Sequence, residues 1–297
     1  MNSNILFYII ITILVLEFIV NKVLDCLNSK HFDDKIPKEL ADVYDEGAYK
    51  KSQEYKKENE KFSNITSLFS IILTLFFFFV KGFRYVDDLA NSFTNNPIFI
   101  ALIFFVIILL GSDILTTPFS YYKTFVIEEK FGFNKTTHKT FWLDKVKSWL
   151  MSIFLGVGIL SVIVYFYEYF GGDFWIYAWI LVIAFSIFLN LFYAKFIVPI
   201  FNKQIPLASG QLKSEIEKYA QKVGFKLDAI FVIDGSKRST KANAYFSGFG
   251  SQKRITLYDT LINELETNEI VAVLAHEIGH YKKKHIIFNL TVSMLLT

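Results

Sequence analysis

Apolar and polar residues segregate along this chain into long blocks. Five apolar runs, at 5–20, 65–80, 97–110, 149–170 and 174–200, are separated by connections that hold most of the charge. Several approach the roughly 20 residues that cross a bilayer as a helix. A sixth run opens at Ile286, and the sequence ends within it at Thr297. No basic stretch precedes the first run and no small-residue cleavage site follows it, so it reads as a span rather than a removable signal. The pattern predicts a mainly α, polytopic membrane protein with about five complete spans and the start of a sixth.

Beyond the fifth run the spacing changes. Pro199 and Pro206 punctuate it, and Leu212, Ile216, Tyr219, Ala220 and Val223 then recur at helical intervals up to Gly224. This predicts a helix over 209–223. The run 229–233 (AIFVI) reads as a strand closed by Asp234-Gly235. The pair 243–249 (NAYFSGF) and 254–258 (RITLY) reads as a hairpin. A final helix carries Ile270, Val271, Leu274, Ala275 and Ile278, with Thr267-Asn268-Glu269 offering a cap and an acidic first turn. The expectation is a small α+β unit of helix, three strands and helix. The chain thus divides into a transmembrane domain over 1–206 and a second domain over 207–297.

Charge sets an orientation. The five connections at 21–61, 81–96, 119–148, 171–173 and 201–284 carry nine, two, six, no and thirteen Lys/Arg residues. By the positive-inside rule the first, third and fifth connections are cytoplasmic, and with them the α+β unit. The block KKSQEYKK at 50–57 reads as a solvated helix face that extends the second span, and Glu128-Glu129 as a solvated acidic pair. Lys237, Arg238 and Lys241 read as solvent or lipid-headgroup contacts. A net charge of +3 gives no argument for nucleic acid. The single cysteine, Cys26, excludes an internal disulfide framework and any multi-cysteine metal site. The lipid bilayer is the partner that composition implies.

Within the last helix stands His276-Glu277-Ile278-Gly279-His280. Two histidines four apart share a helix face, roughly 6 Å apart along the axis, and both imidazoles can bind one zinc ion at about 2 Å. Glu277, one step round, can take a proton from a water the zinc activates. A structural zinc, or two surface histidines, is the alternative. Asn243 opens its strand and could hold a peptide or an oxyanion with its amide; a turn-associated Asn is the alternative. His285 lies five residues past His280, rotated about 140° from it on a helix, and is not assigned to the metal.

Four stretches together resemble one family, the intramembrane zinc metalloendopeptidases of the CAAX prenyl protease (a-factor-converting) type. They are EEKFGFN at 128–134, ANAYFSG at 242–248, RITLYDTL at 254–261 and VLAHEIGHYKKKH at 273–285, in the family's order. The resemblance implies one zinc per chain held by His276 and His280, with Glu277 as catalytic base and acid. It implies substrate binding by Asn243 and the adjoining Ala244 and Tyr245. It also implies a seven-helix fold around a hydrated chamber, and a peptide or protein substrate that can be prenylated at its C-terminus. A bacterial relative would instead degrade misfolded membrane proteins. Composition favours a bacterial inner membrane over the endoplasmic reticulum.

The family draws its third zinc ligand, a glutamate, from a later helix, and no Asp or Glu follows Glu277 here. The expectation is a C-terminally truncated copy, inactive alone. Two further readings stand beside the peptidase: a chaperone-like membrane binding protein with an incomplete zinc site, and a multi-span transporter with an incidental motif. The absence of an internal repeat speaks against the transporter.

Overall fold

Each of the five complete apolar runs lies in a long helix, because a chain without water partners must satisfy its backbone groups within itself. The computed structural model describes residues 3–32, 35–36, 42, 45–225, 227–247, 254–285, 288–289 and 291–292. Among the described residues, four stretches are long and apolar enough to cross a membrane: Asn4–Ser29, Glu46–Phe79, Pro97–Glu128 and His138–Phe201. The last contains two long helices, so all five expected runs are accounted for. Most of the expected sixth run, like the hairpin tip at 248–253, lies outside the described residues. The chain forms two compact units, Met1–Gly132 and Phe133–Thr297.

In the first unit, α1 (Ser3–Ser29) packs on α2 (Glu46–Phe79), and α3 (Gly82–Phe93) packs on α4 (Pro97–Tyr122). Asp45 starts α2 by accepting a hydrogen bond from Ala48 N at 2.7 Å. The polar block at 50–57 is indeed the opening of the same helix that carries the second apolar run. Lys22 on α1 reaches Asn64 on α2 at 2.7 Å, a polar link between two otherwise apolar faces. Aromatic packing supplies much of the rest. Phe62 stacks on Tyr122 with ring centroids 5.6 Å apart, and Phe69 meets Phe119 at 4.8 Å. The turn into α3 needs Gly82, since a Cβ there would lie 2.6 Å from the Phe77 ring.

The amphipathic segment after Tyr121 does not stand apart from the third span. It prolongs α4 as a π-helical turn, Lys123–Glu128, before Gly132, at φ +79°, turns the chain. Nor is Glu128 a solvated acid. It is half-buried and accepts a hydrogen bond from the Tyr55 hydroxyl, while Lys130 pairs with Glu58 at 3.2 Å. Both contacts join the end of the third span to α2.

The second unit begins with a helical hairpin, α5 (His138–Phe170) and α6 (Phe174–Phe192), turned at Gly171–Asp173. Phe170 stacks on Tyr177 at 4.1 Å across the turn. A π-helical turn, Tyr193–Ile197, leads into α7 (Val198–Phe201) and a strand the sequence reading missed, β1 (Gln204–Pro206). Then follow α8 (Gln211–Lys222), β2 (Ala229–Ile233), β3 (Ala244–Ser247), β4 (Arg254–Tyr258), α9 (Asp259–Glu264) and α10 (Thr267–Lys282).

The strand order is β1-β2-β4-β3. β3 and β4 form the expected antiparallel hairpin, whereas β2 and β4 run parallel, with Ile230 opposite Ile255 and Val232 opposite Leu257. Central β4 is covered on both faces, so Ile255, Thr256 and Leu257 are all buried in succession. Ile216 of α8, Ile230, Ala244, Ile255, Leu257, Leu261, Ile270 and Leu274 form one core, and Ala220, Phe225 and Ile278 extend it.

Candidate metal centre

The histidines are placed by the opposite face of their own helix. Ile270, Leu274 and Ile278 recur every fourth residue and are each no more than 2% exposed, which seats α10 on the sheet. At 100° per residue, His276 and His280 then fall about 200° and about 240° from the middle of that stripe, and both are exposed. Glu277 lies between the two faces and is half-buried. The helix starts one residue earlier than expected. Glu266 is its N-cap, in a capping box in which Glu269 accepts from the Glu266 backbone N–H at 2.8 Å.

The two imidazoles converge. Nε2 of His276 and Nε2 of His280 are 2.9 Å apart, with ring centroids at 4.6 Å. A tetrahedral zinc with Zn–N bonds of about 2.0–2.1 Å separates two nitrogen ligands by about 3.3 Å. The pair therefore fits a zinc ion after an adjustment of a few tenths of an ångström. Among the described residues, no group of three or more His, Cys, Asp or Glu gathers around one position.

His285 is where helical extrapolation fails. α10 ends at Lys282, and Lys284 adopts the left-handed conformation, φ +57°. The chain turns there, and His285 Nδ1 comes to 2.7 Å from His280 Nδ1. Assuming an unbroken helix put it on another face. The run Lys282-Lys283-Lys284, cations at the end of a helix, is the sequence signal that the helix stops before it.

The edge strand β3 carries the other predicted residues, and α10 rests on it. Asn243 is exposed just before the strand. Its carbonyl accepts from Tyr258 N at 3.0 Å, and its side-chain Oδ1 accepts from Ala244 N at 2.8 Å. Hydrogen bonding in an antiparallel ladder alternates. With Asn243 bonded toward β4, the main-chain groups of Ala244 and Phe246 point to the open edge. The Ala244 side chain lies in the core, 7% exposed, so only its backbone can meet a ligand. Tyr245 lies opposite Thr256, and among the described residues its buried hydroxyl makes no hydrogen bond of good geometry, the Thr256 hydroxyl being a neighbour in poor alignment. Burial pushes the phenol pKa up, and the Thr256 hydroxyl offsets only part of that.

Arg238 corrects another expectation. It is no headgroup contact: it grips Asp144 of α5 through two bonds, at 2.7 and 2.9 Å, and donates a third to the Phe201 carbonyl at 2.7 Å. Its own carbonyl accepts from Lys135 N and from the Thr136 hydroxyl. The loop leading into Asn243 and β3 is thereby fastened to the helices of its unit. Both partners remain about one-fifth exposed, 23% and 22%, which screens the pair in part. Arg238→Ala should lower unfolding stability by about 2 kcal/mol, below the 3–5 kcal/mol of a fully buried pair. Equilibrium denaturation checks this, and a change below about 0.5 kcal/mol would show that the clamp does not matter.

A membrane helix unit followed by a histidine-bearing helix laid on an edge strand defines a membrane-bound metallopeptidase fold. The chain belongs to the CAAX prenyl protease branch of peptidase family M48. Residues 26–203 match the family described as CAAX prenyl protease N-terminal, five membrane helices, and residues 206–297 match Peptidase family M48. It is 38% identical over 288 residues to a CAAX prenyl protease 1 homolog of Dictyostelium discoideum, covering 94% of this chain and 67% of that protein. It is also 38% identical over 276 residues to CAAX prenyl protease 1 of Saccharomyces cerevisiae, covering 89% of this chain and 61% of that protein. The crystal structure of S. mikatae Ste24p matches with a TM-score of 0.92 at 37% identity, covering 97% of this chain and 70% of that one. The chain thus spans about two thirds of the length of these relatives.

Proposed function

We propose that this chain supplies the membrane domain and two of the zinc ligands of a zinc-dependent endopeptidase acting on prenylated C-termini. The carrying observation is the convergence of two Nε2 atoms at 2.9 Å on a helix seated against an open strand edge. His276 and His280 would hold the zinc, and the resemblance gives the third position to a glutamate of a later helix. When bound, zinc supplies a Lewis acid that lets water act as a nucleophile near neutral pH. Glu277 accepts the proton of the attacking water and returns it to the leaving amine. The outward Ala244 carbonyl and the outward N–H and C=O of Phe246 pair with an extended peptide. The Ala244 N–H is already held by Asn243 Oδ1, and the Asn243 amide borders the same edge. Tyr245, the third residue expected to bind substrate, buries its hydroxyl and would act through the position of the strand.

The family matches support a division close to the expected 1–206 and 207–297. The alternation of basic connections supports a cytoplasmic position for the second domain. The relatives named above are eukaryotic, which weighs toward the endoplasmic reticulum over the bacterial membrane that composition favoured.

The test uses the full-length protein in lipid nanodiscs, with paired peptides that share a C-terminal CAAX sequence and differ only in prenylation. We expect one zinc per chain, cleavage that stops on chelation, and preference for the prenylated peptide. Equal cleavage of both peptides would remove prenyl recognition. One zinc with no cleavage of either would favour the chaperone-like alternative.

A further inference from the structure

An imidazole that gives Nε2 to a metal keeps its proton on Nδ1, and that N–H needs an acceptor to fix the ring. Metal-binding histidines nearly always hand this proton to a carboxylate, a backbone carbonyl or a water. His280 has a different partner within reach, the Nδ1 of His285 at 2.7 Å, with ring centroids at 4.9 Å. The three rings form a row: His276 Nε2 faces His280 Nε2, and His280 Nδ1 faces His285 Nδ1. A neutral imidazole offers one donor and one acceptor, so an unprotonated Nε2 on His280 and a donating Nδ1–H are the same tautomer. His285, protonated on Nε2, completes the set by accepting at Nδ1.

We propose that His285 is a positioning residue: its Nδ1 accepts the His280 Nδ1–H and holds His280 in the tautomer and orientation that present Nε2 to zinc. This rests on the reading of His276 and His280 as zinc ligands. The backbone supports it. Lys284 sits at φ +57°, a conformation that residues with a Cβ rarely adopt, and that one left-handed residue brings His285 back beside the helix. Without it, His285 would continue along α10 and point away from His280. The polar contact is made across exposed rings, where water competes as an acceptor. The gain over water is the fixed direction of a partner held by the chain itself.

The experiment measures zinc affinity of the full-length protein by chelator competition, with the unfolding midpoint of the zinc-free protein as a control. Three variants are compared: His285→Ala, His285→Asn and His280→Ala. Asn places its Oδ1 close to where His Nδ1 stood, so it restores the acceptor without the ring. We expect His285→Ala to weaken zinc binding about 10- to 100-fold, His285→Asn to recover most of that, and the zinc-free midpoint to stay unchanged in both. If His285→Ala binds zinc as the parent does while His280→Ala has lost it, the positioning role is overturned and the ligand assignment stands. If Asn is as weak as Ala, acceptance by Nδ1 is overturned. If His280→Ala also binds as the parent does, the ligand assignment itself falls.

Discussion

Replacing Glu277 with glutamine is expected to leave zinc binding intact and to lower kcat by about 10²- to 10⁴-fold, the usual range for losing a general acid–base group. Glutamine matches glutamate in size, so α10 keeps its seat and the histidines keep their spacing. What disappears is the capacity to take a proton and give it back. Zinc content measured beside turnover in the full-length protein separates the two effects. Near-parental turnover with zinc bound would show that another group moves the proton. A variant that loses its zinc instead would place Glu277 among the residues that hold the metal.

The second large effect is on stability. Leu274 is 1% exposed and packs into the main core from the helix that carries His276 and His280. Leu274→Ala should cost about 2–5 kcal/mol, the lost transfer energy plus the cavity left behind. Because the histidines face away from that cavity, zinc affinity measured well below the unfolding transition should change little. A thermal or chemical unfolding series checks the first part, and chelator competition at low temperature the second. A loss under about 0.5 kcal/mol would mean that α10 is held by something other than its buried stripe.

Those two predictions differ in how far the sequence alone supports them. Periodicity is enough to place Ile270, Leu274 and Ile278 on one side and the histidines on the other, because an α-helix enforces 100° per residue. The same rule misplaced His285, since it holds only while the helix lasts. A left-handed Lys284 is a single-residue event with no periodic trace. Strand β1 escaped for a related reason: Gln204–Pro206 is three residues with a proline at its end, too short to show alternation. The parallel pairing of β2 with β4 links segments about 25 residues apart, and no local pattern encodes it. Arg238 looked like any loop cation. Its partner Asp144 is 94 positions away, and only tertiary structure joins them. Glu128 was misread in the same way, with Tyr55 73 positions distant.

The free side of β3 has a further consequence. A strand edge offers N–H and C=O groups and almost nothing that distinguishes one side chain from another. Whatever docks there is sorted by shape: the main chain must already be straight over several residues, and no helix or folded domain qualifies. If substrate docks there as proposed, discrimination among proteins becomes a matter of which of them can present a loose tail, ahead of any preference for what that tail spells. On that reading such a filter would tolerate sequence drift in its clients and would spare every compact protein that passes by.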